Sequence, residues 1–286
     1  MKILITGSKG QLGSEFRKIS IDYKQFNWVF VDVEELDFCN LHELESSLSE
    51  LGADIIVNCA AYTNVEKAEI EKDLAMKVNC LAVEILSNWS FRNGSKIIHI
   101  STDYVFDGNS KIPLNENAKT NPVNFYGLTK LKGENICLKN NPNSIIIRTS
   151  WLYSSNGNNF VKTIINLMSK KDTLNVIDDQ IGSPTYAEDL AKTILKIINY
   201  KDWIPGVYHY SNEGEISWFN FASSIKKLIG FSTEINAISS NQFSSKASRP
   251  SYSLLDKSKI KKTFNITIPR FENSLKKCIK ILNNEK

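Results

Sequence analysis

Tyr126 and Lys130 stand four residues apart in Tyr126-Gly127-Leu128-Thr129-Lys130. On a helix that spacing puts both side chains on one face, where an ammonium favours phenolate over phenol and lowers a tyrosine pKa from about 10. A tyrosine so placed works as a general acid or base near neutrality. Ser101-Thr102-Asp103 adds a hydroxyl that can donate to a developing oxyanion. The spacing also fits a solvated helix face, and Thr102 also fits a strand-end hydroxyl that caps local backbone. What decides between these readings is the set of elements that carry the residues.

Lys2 to Thr6 is a short apolar run of strand formers that stops at Gly7, and glycines then recur at Gly10 and Gly13 as helical character begins at Leu12. A strand feeding a glycine turn and then a helix lets a pyrophosphate reach bare backbone amides at the positive end of the helix. A second strand, Trp28 to Val31, ends at Asp32, nineteen residues beyond Gly13, where an acidic residue accepts hydrogen bonds from an adenosine ribose.

Strands and helices then alternate: a helix over 41–51, a strand over 54–60 ending in Ala60-Ala61-Tyr62-Thr63, a helix over about 71–93, a strand over 96–100, a helix holding Tyr126 to Leu138, and a strand over 144–148. Continuous apolar strands between helices predict an α/β fold, a Rossmann-type doubly wound parallel sheet covered on both faces. Ligands bind such sheets beyond the carboxyl ends of the strands, where the Gly7 turn, Ala61 to Thr63, Ser101 to Asp103 and Thr149-Ser150-Trp151 all fall. Residues 1–150 read as the dinucleotide-binding domain and 151–286 as a smaller, mainly substrate-binding region with part of its chain returning to the main sheet. The boundary is soft. The second half offers a helix over about 160–170, Gln180 to Thr185 before another helix, a strand over 206–210, and Ser217 as N-cap of a helix through Leu228.

At 286 residues the chain can bury a large core. Its net charge of +4 is scattered, with no basic stripe for nucleic acid. Five cysteines, far apart and without a Cys-x-x-Cys pair, predict free thiols in a reducing cytosol, hence a cytoplasmic protein with no zinc site. No apolar stretch reaches the length of a membrane span or signal sequence. The three histidines are isolated, and His99 reads as a packed strand residue.

These segments resemble the extended short-chain dehydrogenase/reductase family, and within it the branch that reduces 4-keto nucleotide sugars. The resemblance spans nearly the whole chain: Gly7-x-x-Gly10-Gln11-Leu12-Gly13, Val57 to Thr63, Ser101 to Gly108, Tyr126-Gly127-x-Thr129-Lys130, Arg148 to Trp151, Gly157 to Phe160, Asp179 to Thr185 and Ser248-Arg249-Pro250. It implies reduction of dTDP-4-dehydro-L-rhamnose to dTDP-L-rhamnose, a precursor of surface polysaccharide such as O-antigen, with NADPH or NADH. An acidic residue at position 32 favours NADH by repelling a 2′-phosphate, while the family includes users of either.

Residue by residue, the resemblance implies Tyr126 as general acid, Lys130 as the partner that lowers its pKa and holds the nicotinamide ribose, and Thr102 as the donor that polarises the substrate carbonyl. It assigns Gly10, Gln11 and Leu12 to the pyrophosphate, Asp32 to the ribose, Asp37 and Phe38 to the adenine, and Ala61, Tyr62 and Thr63 to the segment running towards the nicotinamide. Asp103 and Trp151 would meet the sugar, although Trp151 also fits a core aromatic. Arg249 would meet the diphosphate or make a surface salt bridge. Members of the family have been associated with magnesium at a homodimer contact, and Glu15 and Glu188 are similar in position to the glutamates there. Such an ion would be structural at most, and no catalytic metal is expected. A 4,6-dehydratase calls for Glu immediately after Thr-Asp, where this chain has Tyr104. A non-catalytic regulatory subunit on the same fold is disfavoured by the intact Thr102, Tyr126 and Lys130.

Overall fold

Successive side chains of a strand point to opposite faces, so an uninterrupted apolar strand must be covered on both sides. Five such strands occupy the first half of the chain in the computed structural model, which describes residues 1–284. They are β1 (Lys2–Thr6), β2 (Asn27–Phe30), β3 (Ile55–Asn58), β4 (Lys96–Thr102) and β5 (Ile145–Thr149), alternating with helices α1 (Gln11–Ile19), α2 (Leu41–Leu51), α3 (Val65–Ala68), α4 (Lys72–Met76), α5 (Ala82–Arg92) and α6 (Phe125–Asn140). The second half runs β6 (Leu152–Tyr153), α7 (Phe160–Met168), β7 (Thr173–Ile177), β8 (Ile181–Gly182), β9 (Thr185–Tyr186), α8 (Ala187–Ile198), β10 (Gly206–Tyr210), β11 (Ile216–Ser217), α9 (Trp218–Ile229), β12 (Glu234–Ile238), α10 (Ser258–Phe264) and α11 (Phe271–Asn284).

The main sheet has six strands in the order β10-β5-β4-β3-β1-β2, and every pairing in it is parallel. From β1 the chain goes first to one side, as β2, and then to the other, as β3. That reversal opens a crevice beyond the carboxyl ends of β1 and β3. On one face Ile3, Ile5, Val57, Ile98 and Ile147 pack with Phe16 of α1 and Leu190 and Ile194 of α8. On the other, Leu4, Ile56, Ile97 and Ile146 pack with Leu44 of α2 and Leu86 and Trp89 of α5. A second apolar cluster lies wholly in the later half, around Val161, Phe221, Ile225 and Leu275.

The expected helix over 71–93 is interrupted by a π turn, Lys77–Leu81, between α4 and α5. Asn79 in that turn meets α6 so closely that a Cβ on Gly133 would lie 2.1 Å from the Asn79 carbonyl oxygen. The strand expected over 54–60 spans Ile55–Asn58, with Asp54 still bonded to Lys2 and Lys96, and Cys59 onward lines the crevice. Ser217 caps α9, its hydroxyl accepting from the Asn220 amide at 3.1 Å. The parallel pair β7 and β12 was not foreseen. Its strands carry exposed residues among the apolar ones, so neither stands out as a continuous apolar run.

Candidate active site

A cleft of about 750 Å³ opens beyond the carboxyl ends of β1, β3, β4 and β5. Gly7 starts the turn at its floor with φ +60, and a Cβ there would fall 2.8 Å from the Ala60 backbone nitrogen. Gly7, Gly10, Gln11 and Leu12 all line the cleft, and Gly13 does not. A Cβ on Gly13 would lie 2.3 Å from the Gly7 carbonyl oxygen, so this glycine lets α1 pack against the turn. The first turn of α1 has neither a side-chain cap nor an acidic residue. Its amides and positive dipole end therefore fit a pyrophosphate.

Asp32, Asp37 and Phe38 line the far end of the cleft. The Asp32 carboxylate accepts from the Lys9 amide at 2.7 Å and the Val33 amide at 3.0 Å. Ala61 and Thr63 line it as well, whereas Tyr62 does not. The Tyr62 hydroxyl turns away to donate to Glu71 at 2.6 Å, and its backbone is pinned at both N–H and C=O by the Asn79 amide side chain. Gln11 reaches across the cleft mouth. Its side chain donates to the Leu152 carbonyl at 3.4 Å and accepts from Asn159 at 3.0 Å.

Tyr126 sits in the first turn of α6, which Asn124 caps by accepting from the Gly127 amide at 2.7 Å. Gly127 allows the helix to abut the 3₁₀ turn after β4, because a Cβ would lie 2.2 Å from the Tyr104 carbonyl oxygen. Burial pushes the Tyr126 phenol up to about 12, a hydrogen bond with the Thr102 hydroxyl draws it down, and the Asp103 charge pushes it up. Of the two readings the sequence left open, the backbone cap is present, the Thr102 hydroxyl accepting from the Tyr104 amide at 3.2 Å, and Thr102 also touches Tyr126. Thr102 donates to Asp103 at 3.0 Å, and Asp103 also accepts from Ser253 at 2.6 Å. Burial is the main reason the Asp103 carboxyl rises to about 6.

Lys130 lines the same cleft but is 2 % exposed. Its amine donates to the Ile100 carbonyl at 2.6 Å and lies 3.4 Å from His99 Nε2. Burial lowers it to about 8, against the opposing pull of Glu134. Burial, Thr102 and Asp103 set the Tyr126 phenol, so the depression expected from the Lys130 ammonium does not appear, and burial keeps Tyr126 a protonated phenol, the state an acid requires.

Trp151 lines the cleft with φ 48, a left-handed conformation rare for an aromatic residue. It stacks on Trp218, which lines the cleft too and packs against Phe160 at 4.5 Å between centroids. Arg249 does not line the cleft. It makes the salt bridge that was its alternative, to Glu66 at 2.6 Å, and donates to Ser245 at 2.6 Å. Arg249 nevertheless hydrogen-bonds Tyr104, which lines the cleft.

Glu15 and Glu188 lie close enough for the Glu188 charge to raise the Glu15 pKa, behind the larger effects of burial and of Lys18. Each carboxylate already has cationic company, Lys18 at 3.7 Å from Glu15 and Lys192 bonded to Glu188. Among the described residues, no group of three or more His, Cys, Asp or Glu is placed to hold a metal.

The sequence reading missed Ser253, Asn79 and Trp218. Ser253 and Asn79 act through partners 150 and 17 residues away, which no local pattern records. Trp218 follows the Ser217 cap directly, so its place at a helix start was the one available signal.

An all-parallel sheet with a glycine turn after β1 and a Tyr-x-x-x-Lys helix beside a threonine at the end of β4 defines a Rossmann-type enzyme of the extended short-chain dehydrogenase/reductase class. More narrowly, the chain belongs to the family described as RmlD substrate binding domain, whose model matches residues 1–284. It is similar to a dTDP-4-dehydrorhamnose reductase of Aggregatibacter actinomycetemcomitans, at 38% identity over 285 residues, covering 96% of this chain and 97% of the relative. A crystal structure of a dTDP-4-dehydrorhamnose reductase from Clostridium acetobutylicum superposes with a TM-score of 0.94 at 39% identity, covering 99% of this chain and 100% of that one. The enzyme of the same name from Bacillus anthracis, in complex with NADP, superposes with a TM-score of 0.93 at 35% identity, covering 98% of this chain and 99% of that one.

Proposed function

We propose that this protein reduces the 4-keto group of dTDP-4-dehydro-L-rhamnose to give dTDP-L-rhamnose for surface polysaccharide. The observation that carries this reading is the meeting of Tyr126, Thr102 and Lys130 in one cleft with an uncapped helix start that suits a dinucleotide. A reduced nicotinamide supplies hydride to the carbonyl carbon. Gly10, Gln11 and Leu12 hold the pyrophosphate, Asp32 the ribose, Asp37 and Phe38 the adenine, and Ala61 and Thr63 the segment between.

Tyr126 donates its phenolic proton to the carbonyl oxygen as charge grows there, and the Thr102 hydroxyl orients that oxygen. Asp103 and the Trp151–Trp218 stack form the sugar side of the cleft. In this reading residues up to about 150 serve the dinucleotide and later residues mainly cover the sugar. Arg249, released from Glu66, pairs with the diphosphate.

Both NADH and NADPH are accepted. Asp32 suits a free ribose, while Lys9, ion-paired with Glu34 at 2.6 Å, stands beside it as a partner for a 2′-phosphate. No helix among the described residues is long and apolar enough to cross a membrane, and the proposed place of work is the cytoplasm, where the nucleotide-sugar precursors are. Every residue given a role here lies in one chain, and a homodimer of that chain is part of the same proposal.

The test is loss of reduced-nicotinamide absorbance with dTDP-4-dehydro-L-rhamnose, run with each cofactor. Stoichiometric oxidation with release of dTDP-L-rhamnose supports the reading. No oxidation by protein that demonstrably binds the cofactor refutes it.

A further inference from the structure

Behind Lys130, away from the cleft, runs a line of buried polar side chains that the proposed reaction does not use. Thr6, Asn58 and His99 stand on the neighbouring strands β1, β3 and β4 and are 1 %, 0 % and 0 % exposed. Thr6 Oγ1 lies 2.7 Å from Asn58 Oδ1, the Asn58 amide nitrogen lies 3.0 Å from His99 Nδ1, and His99 Nε2 lies 3.4 Å from the Lys130 amine.

The direction of each bond follows from the one before. The backbone N–H of Ala60 approaches Thr6 Oγ1 at 3.3 Å, which leaves the threonine proton for the Asn58 carbonyl oxygen. Asn58 then presents its NH₂ to the imidazole, so Nδ1 is the acceptor. A buried His99 is neutral, burial being the first cause that holds its pKa well below the ordinary value and the Lys130 charge the second. Its single proton therefore sits on Nε2 and faces Lys130. An ammonium has only N–H groups to offer in return, whereas a free amine has a lone pair to receive that proton and still donates to the Ile100 carbonyl.

We infer that Thr6, Asn58 and His99 form a hydrogen-bonded chain that fixes one imidazole tautomer and thereby biases Lys130 towards its uncharged form. The three are positioning residues: they act on the cleft only through Lys130. Other groups also bear on that amine. Cys59 approaches at the end of β3, Glu134 and Cys137 from α6 itself, and all three favour the charged form. Glu134 is in turn bound to Arg148 of β5 at 2.7 Å. The chain thus opposes Glu134 and acts in the same direction as burial, which brings Lys130 to about 8. The inference depends on Lys130 being a residue of the cleft and is independent of which sugar binds there.

The sign of one shift tests it. In substrate-free protein carrying lysine labelled at Cε with ¹³C, the Lys130 resonance is identified by its loss in Lys130→Arg, and its titration is followed by NMR. His99→Phe keeps the ring volume and removes both nitrogens. If Nε2 donates to the free amine, this variant raises the Lys130 pKa by roughly one pH unit. If Nε2 instead accepts from the ammonium, the pKa falls, and the inference is overturned. An unmoved titration overturns it as well.

Thr6→Val, nearly isosteric within β1, serves if His99→Phe does not fold. It frees Asn58 to turn its carbonyl to the imidazole and raises the Lys130 pKa by a smaller amount. A folded Thr6→Val protein with the wild-type Lys130 titration also overturns the proposal. In the reductase assay the corresponding limb of the kcat/KM profile moves with the NMR value, which a purely structural role for His99 does not predict. Because the titration is read without substrate, failure of the sugar assignment leaves this outcome intact.

Discussion

Trp151 and Trp218 lie face to face, their ring centroids 3.6 Å apart and their planes 12° from parallel, one at the exit of β5 and the other at the start of α9. Gly182 backs the pair: a Cβ there would stand 3.0 Å from the Trp151 ring. The stack explains how Trp151 holds an otherwise unfavourable φ of 48. Trp218→Ala removes the support and should lower stability by about 1–3 kcal/mol while raising KM for the sugar nucleotide. Trp218→Phe should recover most of both. Urea unfolding and steady-state kinetics on the two variants check this, and equal KM values for wild type and Trp218→Ala would remove Trp218 from the sugar side of the cleft.

Loss of the acid should separate chemistry from binding. Tyr126→Phe is expected to reduce kcat by about 10²–10⁴-fold, and Thr102→Val by about 10²-fold. Cofactor-induced thermal stabilisation should survive in both, because the proposed dinucleotide contacts lie mainly at the glycine turn and Asp32. Unchanged turnover in Tyr126→Phe would require a different proton donor.

Asp103 gives a pH-dependent signature. Its carboxyl titrates near about 6 in the folded protein, above the ordinary value of 3.8, so the folded state holds the proton more tightly than the unfolded chain. Its contribution to stability is full below the lower value and is lost as pH rises through the upper one, a swing of up to about 3 kcal/mol. Asp103→Asn cannot ionise and should gain on the wild type between pH 4 and 7. Urea midpoints of the two proteins measured across that range provide the comparison. A constant difference would show that Asp103 ionises in the fold as readily as in the unfolded chain.

Arg148 and Glu134 form a buried pair with side chains 6 % and 1 % exposed, and the guanidinium also reaches Glu134 through Nε at 2.9 Å. Removing one partner strands the other charge in the interior, so Glu134→Ala should cost about 3–5 kcal/mol in chemical denaturation. It also withdraws a group that favours the charged form of Lys130, and the Lys130 titration should move down.

Much of this was legible in the chain itself. Ile3, Ile56, Ile98 and Ile147 lie in continuous apolar runs, and the turn after each such run is where a doubly wound sheet places its ligands. Gly7, Ala61, Thr102 and Trp151 could therefore be placed in one crevice before any geometry was known, while Tyr126 and Asp32 rested on spacing and resemblance. Tyr62 misled because its neighbours Ala61 and Thr63 do face the cleft, and only a contact with Glu71 turns its ring away. His99 was read as packed, which its full burial supports, but the line from Thr6 through Asn58 that it carries to Lys130 spans three strands. Side chains joined across a sheet leave no mark in spacing along the chain. The later half was harder for the same reason: β7 and β12 pair with each other, and exposed residues break up the apolar pattern of both.

The edge strand β10 lies against β5 but follows it by more than the whole of α7 and α8, and Ala187, Leu190, Ile194, Tyr208 and Phe264 share one core with Ile3, Ile5 and Ile147. During synthesis five strands of the sheet leave the ribosome before the segments that cover one of their faces exist. A nascent chain of about 150 residues bares an oily surface and an unpaired edge together, the combination that recruits chaperones or aggregates. Residues 1–150 made alone should therefore be less soluble than the whole chain.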